Sequence, residues 1–283
     1  MMIAYLGTGL LGSNFVRAML KRDIQVQVWN RTYEKAKALE QYGAIAFEDI
    51  KKAVANVSVI HLTLKDDASV DEVLDKIADT ILPGTIIIDH TTTSAKGAVK
   101  RTADWANKGF FYQHAPVFMG PKNALESTGF MLVSGNQDLI ARLRTDLSLM
   151  TGKLLNFGEE VGKAAALKLV GNSFLVAFTV GLSDAYTLAQ SHDVSVEEML
   201  TLFGSWNPAA TTITDRLNKI SEHNFNPPSW ELNMARKDTQ LFMNAVSDAG
   251  KELTVIPTIA KRMDKFIAAG HGNEDWTIIS SEI

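Results

Sequence analysis

Met2-Ile3-Ala4-Tyr5-Leu6-Gly7-Thr8-Gly9-Leu10-Leu11-Gly12-Ser13-Asn14 is the stretch that decides the fold. A short β-rich run, residues 3–6, passes straight into Gly-x-Gly-x-x-Gly and then into an apolar segment of helical spacing, residues 10–21. Glycine at positions 7 and 9 allows a tight turn and lets a pyrophosphate approach the backbone. Glycine at position 12 lets helix and sheet pack closely. The helix that follows offers unpaired N–H groups and a partial positive charge to an anion. With Thr8, Leu10 and Leu11 completing the loop, strand, turn and helix together read as a dinucleotide-binding element.

Working outward, further strands are expected at residues 25–29, 57–62, 85–89, 110–114, 131–134 and 154–157, with helical patterns between most of them. Such alternation implies a parallel sheet covered on both faces. After Gly158 the pattern changes. Residues 161–190 read as one long helix, followed by helical runs at 196–203, 211–223, 230–249 and 256–268. The expected architecture is α/β: an N-terminal Rossmann dinucleotide-binding domain, residues 1–158, then an all-α C-terminal domain, residues 159–283, built on a long interdomain helix. From Gly270 onward the sequence reads as a polar tail anchored by Trp276.

Composition narrows the function. A chain of 283 residues, 46% hydrophobic and 21% charged, is a globular protein with length for two domains. A net charge of -4 provides no bulk positive field for nucleic acid or an anionic membrane. The absence of cysteine excludes disulfides, a thiolate nucleophile and cysteine-ligated metals. The six histidines, His61, His90, His114, His192, His223 and His271, show no ligand spacing, so no metal is expected. His90 and His114 fall at strand ends, where either can touch a substrate, although a satisfied structural role is the simpler reading. The N-terminus carries no basic residue before its apolar run, unlike a secretory signal. Lys168, Asn172, Ser173, Ser183 and Asp184 interrupt the most apolar later stretch, which argues against a membrane span. A cytoplasmic protein with no nucleic-acid or membrane partner is expected.

Two further positions bear on chemistry. The second strand ends in Asn30-Arg31-Thr32, with no carboxylate to accept hydrogen bonds from the ribose hydroxyls of NAD. Arg31 suits a 2′-phosphate and Thr32 adds a hydroxyl, so the expected cofactor is NADP (NADPH). On the long helix, Lys168 and Asn172 are four apart and share a face. Read from the residues alone, Lys168 either snorkels, with its stem on the core and its ammonium in solvent, or lies inward, where burial lowers a lysine pKa from about 10.4 towards values useful for proton transfer.

Five segments in register carry a family resemblance: residues 6–14, Asp89-His90-Thr91-Thr92-Thr93, Ala115-Pro116-Val117, Gly162-Lys163-Ala164-Ala165-Ala166-Leu167-Lys168-Leu169-Val170-Gly171-Asn172, and Lys237-Asp238. Over essentially its full length the chain resembles the β-hydroxyacid dehydrogenases, which include 3-hydroxyisobutyrate dehydrogenases, tartronate semialdehyde reductases and glyoxylate/succinic semialdehyde reductases. The resemblance implies hydride transfer between NADPH and a small aldehyde or ketone, with hydroxyacid oxidation as the reverse. It implies that Lys168 is the catalytic acid/base and that Asn172 helps to hold substrate. Thr92 is implied at the nicotinamide-side ribose and the substrate, while Lys237, Leu64 and Ser69 are implied as cofactor contacts. A homodimer or homotetramer is implied as well.

The chain departs from the family where its loop usually continues Ser-Gly-Gly. Phe118-Met119-Gly120 stands there, so these three are the expected substrate contacts, and two readings follow: backbone N–H groups still bind a carboxylate, or the pocket has turned towards a less polar carbonyl. Lys122 is a further candidate charge beside that loop. Gly171 and the short helical region separate the chain from decarboxylating 6-phosphogluconate dehydrogenases. Imine reductases share the architecture but typically lack the helix lysine, so Lys168 points away from them and the apolar loop points towards them. A non-catalytic NADPH-binding protein is the third class that the residues allow.

Overall fold

The computed structural model of the chain describes residues 2–282. Strands and helices alternate as β1 (Met2–Leu6), α1 (Leu10–Leu20), β2 (Gln25–Trp29), α2 (Tyr33–Lys37), β3 (Ile45–Phe47), α3 (Ile50–Val54), β4 (Val59–Leu62), α4 (Asp67–Ile77), β5 (Ile86–Asp89), α5 (Ala95–Asn107) and β6 (Phe111–His114). The six strands form one parallel sheet in the order β3-β2-β1-β4-β5-β6. That order reverses direction between β1 and β4, and the crevice at such a switch point is where doubly wound sheets take their ligands.

Alternate residues of each strand feed two cores, one on each face. Ile3 and Tyr5 join Val26, Val28, Ile86 and Ile88 against Phe15, Val16 and Met19 of α1. Ala4 and Leu6 join Ile60, Leu62 and Ile87 against Val70, Val73 and Leu74 of α4.

One parallel sheet holding every strand is not what forms. After β6 come β7 (Val117–Phe118), α6 (Pro121–Glu126), β8 (Phe130–Val133), α7 (Gln137–Ser148) and β9 (Lys153–Asn156). These strands build a separate sheet, β7-β8-β9, in which β7 runs antiparallel to β8 and β9 parallel to it. Ala115-Pro116 turns the chain out of the main sheet: the Ala115 N–H still donates to the Asp89 carbonyl, but proline has no N–H to continue the ladder. The three-residue β3, the short α3 and α6 are also additions to the sequence reading.

The chain divides into two compact units, the first reaching Ser173 and the second beginning at Phe174. The long helix α8 (Lys163–Ser191) runs through the division and joins the α/β part to a mostly helical one. The latter contains α9 (Val196–Ser205), α10 (Pro208–Thr211), α11 (Ile213–Glu222), α12 (Leu232–Asp248) and α13 (Ile256–Ala268). By length and composition α8 is long and apolar enough to cross a bilayer. Its Lys168 and Asp184 are nevertheless both buried within the protein itself.

Two carboxylates organise the helical unit. Asp184 accepts from the backbone N–H groups of Thr254, Val255 and Ile256 at 2.7, 2.8 and 3.1 Å, which ties α8 to the start of α13. Asp275, fully buried, accepts from the N–H and hydroxyl of both Ser229 and Thr277 at 2.6–3.0 Å. The segment read as a polar tail is therefore built in. Trp276 packs edge-on against Trp230 and joins Phe225, Leu232, Met263, Phe266 and Ile278 in the core of this unit.

Burial opposes the charge of Asp275, but its four donors outweigh it and hold the carboxyl down at about 2. Because the folded value lies below the unfolded value of about 3.9, the stabilisation is complete above that pH and is lost as pH falls towards about 2. Asp275→Asn is expected to cost about 2 kcal/mol in urea unfolding at pH 7. The difference from wild type should shrink as the pH is lowered through that window.

Candidate functional site

The three glycines of the first turn meet three different surroundings. Gly7 has φ +92°, and a side chain there would overlap the Thr63 carbonyl oxygen and come within 2.8 Å of Leu64. Gly12 lies against the Gly7 carbonyl, which a methyl would overlap, so α1 packs directly on the turn. Gly9 faces open space, with nothing within 4 Å of the position a Cβ would take. No side chain caps α1, whose first N–H groups point out of the turn.

The loops around this turn shape a cleft of about 380 Å³, lined in part by Gly9, Leu11, Arg31, Thr32, Leu64 and Ser69. Asn30 is a latch: its amide oxygen accepts from the Thr8 N–H at 3.0 Å and its amide nitrogen donates to the Thr32 carbonyl at 2.9 Å. Arg31 and Thr32 are exposed at the rim, as is Lys35, which the sequence reading passed over. The Leu64 N–H donates to the Thr91 hydroxyl at 2.9 Å, tying together the loops after β4 and β5. Ser69 uses its N–H and hydroxyl on Asp66, the cap of α4, so its hydroxyl proton is not offered to a ligand. The buried Thr8 hydroxyl has no partner among the described residues. An open glycine, uncapped N–H groups, an unpartnered hydroxyl and a rim arginine together fit a dinucleotide with its diphosphate over Gly9.

Lys168 stands one turn before Asn172 on α8 and is only 8% exposed. Its ammonium donates to Asn172 Oδ1 at 2.9 Å and lies 4.1 Å from the centre of the Phe118 ring. Burial lowers its pKa from the usual lysine value. No carboxylate forms a salt bridge with it among the described residues. The start of α8 is fixed by the Ser134 hydroxyl, which accepts from the Ala164 N–H at 3.0 Å. Met119 is half-buried and packs against the core that includes Phe15, Val16 and Met19 of α1, and Gly120 caps α6, its N–H donating to Asn123 at 2.9 Å. Of the three loop residues, Phe118 is the one that reaches Lys168.

Thr92 is exposed, and Thr91 beside it is the hydroxyl engaged in the loop tie. Lys237 lies on α12 in the second unit, 2.9 Å from its neighbour Asp238. Lys122 is exposed and 4.0 Å from Glu126.

His90 and His114 are buried, and neither is a surface ligand. His90 bridges His61 at 3.0 Å and the Ala115 carbonyl at 2.8 Å, and burial pushes its pKa down to about 4. Sequence reasoning missed Arg101. Its buried guanidinium binds Asp67, Asp71 and the Tyr112 hydroxyl, which in turn donates to Asp89 at 2.6 Å. This chain fixes the ends of β5 and β6. Its only sequence signal is a charged residue on the inward side of α5.

Another hollow, of about 860 Å³, lies in the second unit between α8 and α9. Phe178, Leu182, Leu200, Phe203 and Trp206 make most of its lining, with Tyr186 and Ser183 among the hydroxyl-bearing residues and no carboxylate or cation.

Comparison with known proteins agrees with this fold. Residues 2–158 match the family described as the NAD binding domain of 6-phosphogluconate dehydrogenase. Glyoxylate/succinic semialdehyde reductase 1 of Arabidopsis thaliana is 25% identical over 285 residues, covering 99% of this chain and 97% of that one. The cytokine-like nuclear factor N-PAC of Homo sapiens is 27% identical over 266 residues. The match covers 93% of this chain but spans about half, 48%, of that relative. Among solved structures, an imine reductase from Myxococcus stipitatus in complex with NADP+ superposes with a TM-score of 0.88 at 20% identity, covering 99% of each chain. A Mycobacterium tuberculosis 3-hydroxyisobutyrate dehydrogenase with L-serine gives 0.67 at 23% identity, covering 99% of this chain and 97% of that one.

The different surroundings of Gly9 and Gly12 make a paired prediction. Gly9→Ala is expected to keep the wild-type melting temperature while weakening binding of a dinucleotide by roughly tenfold or more, because the methyl enters ligand space. Gly12→Ala is expected to lower the melting temperature itself, as the helix must lift from the turn. Calorimetry of both variants, with and without NADP+, checks the contrast.

Proposed function

The chain belongs to the family of the NAD binding domain of 6-phosphogluconate dehydrogenase, and from that premise we propose that it is an NADPH-dependent reductase of small, weakly polar C=N or C=O compounds. The observation that carries the reading is the buried Lys168 ammonium, held by one amide oxygen and an aromatic ring and, among the described residues, by no carboxylate. An ammonium without an anionic partner is free to give up its proton, and burial favours that release. A bound reduced nicotinamide would supply the hydride. Lys168 transfers a proton from Nζ to the substrate nitrogen or oxygen, and Asn172 keeps the ammonium aimed. Because reduction needs the protonated lysine, turnover falls as pH rises through the lowered Lys168 pKa.

Imine reduction is placed ahead of hydroxyacid chemistry, reversing the order taken from motif resemblance. Full-length similarity of fold to the imine reductase and the apolar cover on Lys168 support that order. Carbonyl reduction is the second reading, supported by the Lys168–Asn172 pair and by similarity to the glyoxylate/succinic semialdehyde reductase. The preference for NADPH rests on Arg31 and Thr32 at the rim and on the absence of a carboxylate after β2. We further propose that a second copy of the chain covers the apolar residues Val170, Phe174, Leu175 and Val176, which α8 leaves exposed.

NADPH consumption should be followed over a cyclic imine, an apolar aldehyde, succinic semialdehyde and glyoxylate. Turnover of the imine or the apolar aldehyde is expected to lead, and Lys168→Met to reduce it by about 100-fold or more. Turnover indifferent to Lys168 would contradict the mechanism. Arg31→Ala is expected to raise KM for NADPH by roughly tenfold while leaving KM for NADH within about twofold. An equal effect on both cofactors would remove the 2′-phosphate assignment.

A further inference from the structure

We propose that Gly171 is a notch that seats the Phe118 ring against Lys168, and that the seated ring excludes negatively charged substrates from the lysine. The inference rests on the reading of Lys168 as the proton donor and adds the substrate class.

Lys168, Gly171 and Asn172 occupy one side of α8, at helical positions i, i+3 and i+4. Phe118, at the end of β7, lies across that side. A methyl group at Gly171 would overlap Phe118 Cζ and come within 2.8 Å of Cε1 and 3.3 Å of Cε2. No residue with a side chain therefore fits at position 171 while the ring stays where it is. Glycine inside a helix is destabilising relative to alanine, and the ring gives it a purpose here.

The consequence follows from charge. An ammonium in a binding site ordinarily attracts a carboxylate. Here one side of Nζ is committed to Asn172 Oδ1 and another faces the ring at 4.1 Å. The face of an aromatic ring carries negative charge density, so it attracts the ammonium and repels an anion. A carboxylate brought against it would also shed water with no donor supplied by the ring. The loop offers no second cation, since Lys122 points to solvent beside Glu126. A neutral carbonyl or imine incurs neither cost. The preferred substrates are therefore small uncharged compounds, and oxo acids are excluded.

A matched pair tests this: butanal against succinic semialdehyde, in which a carboxylate replaces the terminal methyl of the same four-carbon chain. The ratio of kcat/KM for the acid to that for butanal is expected to rise by roughly tenfold in Phe118→Ala and again in Gly171→Ala, where the added methyl unseats the ring. The double variant should gain no more than the better single one, because both changes act through one ring. Butyrate, followed by calorimetry without turnover, is expected to bind more tightly to both variants than to wild type. A ratio and a butyrate affinity unchanged in folded Phe118→Ala overturn the proposal, whatever becomes of Gly171→Ala. Adding Lys168→Met to Phe118→Ala separates this inference from its premise. Acid turnover that survives the added change contradicts the proton-donor reading. Turnover that needs Lys168 but shows no altered ratio contradicts the ring gate alone.

Discussion

Gly12 lies so close to the Gly7 carbonyl that only glycine fits, and that approach fixes how α1 leaves β1. β1 sits at the middle of the sheet, between β2 and β4, so the angle of this one helix sets the geometry of the crevice between them. On one side the Gly7 N–H is held by the Trp29 carbonyl; on the other the Thr63 N–H is held by the Leu6 carbonyl. The open space over Gly9 is what remains when both neighbours are fixed in this way. A binding surface made of backbone needs a rigid frame, and here the frame is the central part of the parallel sheet.

The second constraint is the cost of burying Lys168. A lysine taken out of water either finds a counter-charge or yields its proton more readily. This one has an amide oxygen and an aromatic face, which stabilise the ammonium less than a carboxylate would. The arrangement gives up electrostatic stability for a transferable proton, a compromise expected at a site of proton transfer and not at a structural one. The buried Arg101 shows the contrast. With Asp67 and Asp71 both bound to it, its charge is fixed and it serves as a strut between helices and strands.

What the sequence made legible was local. The glycine turn, the long helix and most strands each rest on requirements met within a few neighbouring residues, and their alternation gave the α/β class. Features that depend on distant partners were not legible. Phe118 pairs with Phe130 across an antiparallel register that no local pattern encodes, so the second sheet read as part of the first. Asp275 meets Ser229 from far along the chain, so a built-in segment read as a tail. Asn30, a cofactor-contact candidate from its place at the end of β2, lines the cleft, and its side chain also joins two loops, a role that depends on Thr8 and that no local pattern encodes. The Lys168–Asn172 pair was visible from helical spacing, whereas the ring that covers it needed the three-dimensional fold.

Direct titration of Lys168 is the measurement closest to the central claim. With lysine labelled at Cε and the resonance assigned by Lys168→Arg, its chemical shift against pH in the NADP+-loaded protein gives the pKa of the group itself. The account predicts a midpoint clearly below the ordinary lysine value of about 10.4. A midpoint at or above that value would mean that the ammonium is solvated or paired, and the proton-donor role would fall.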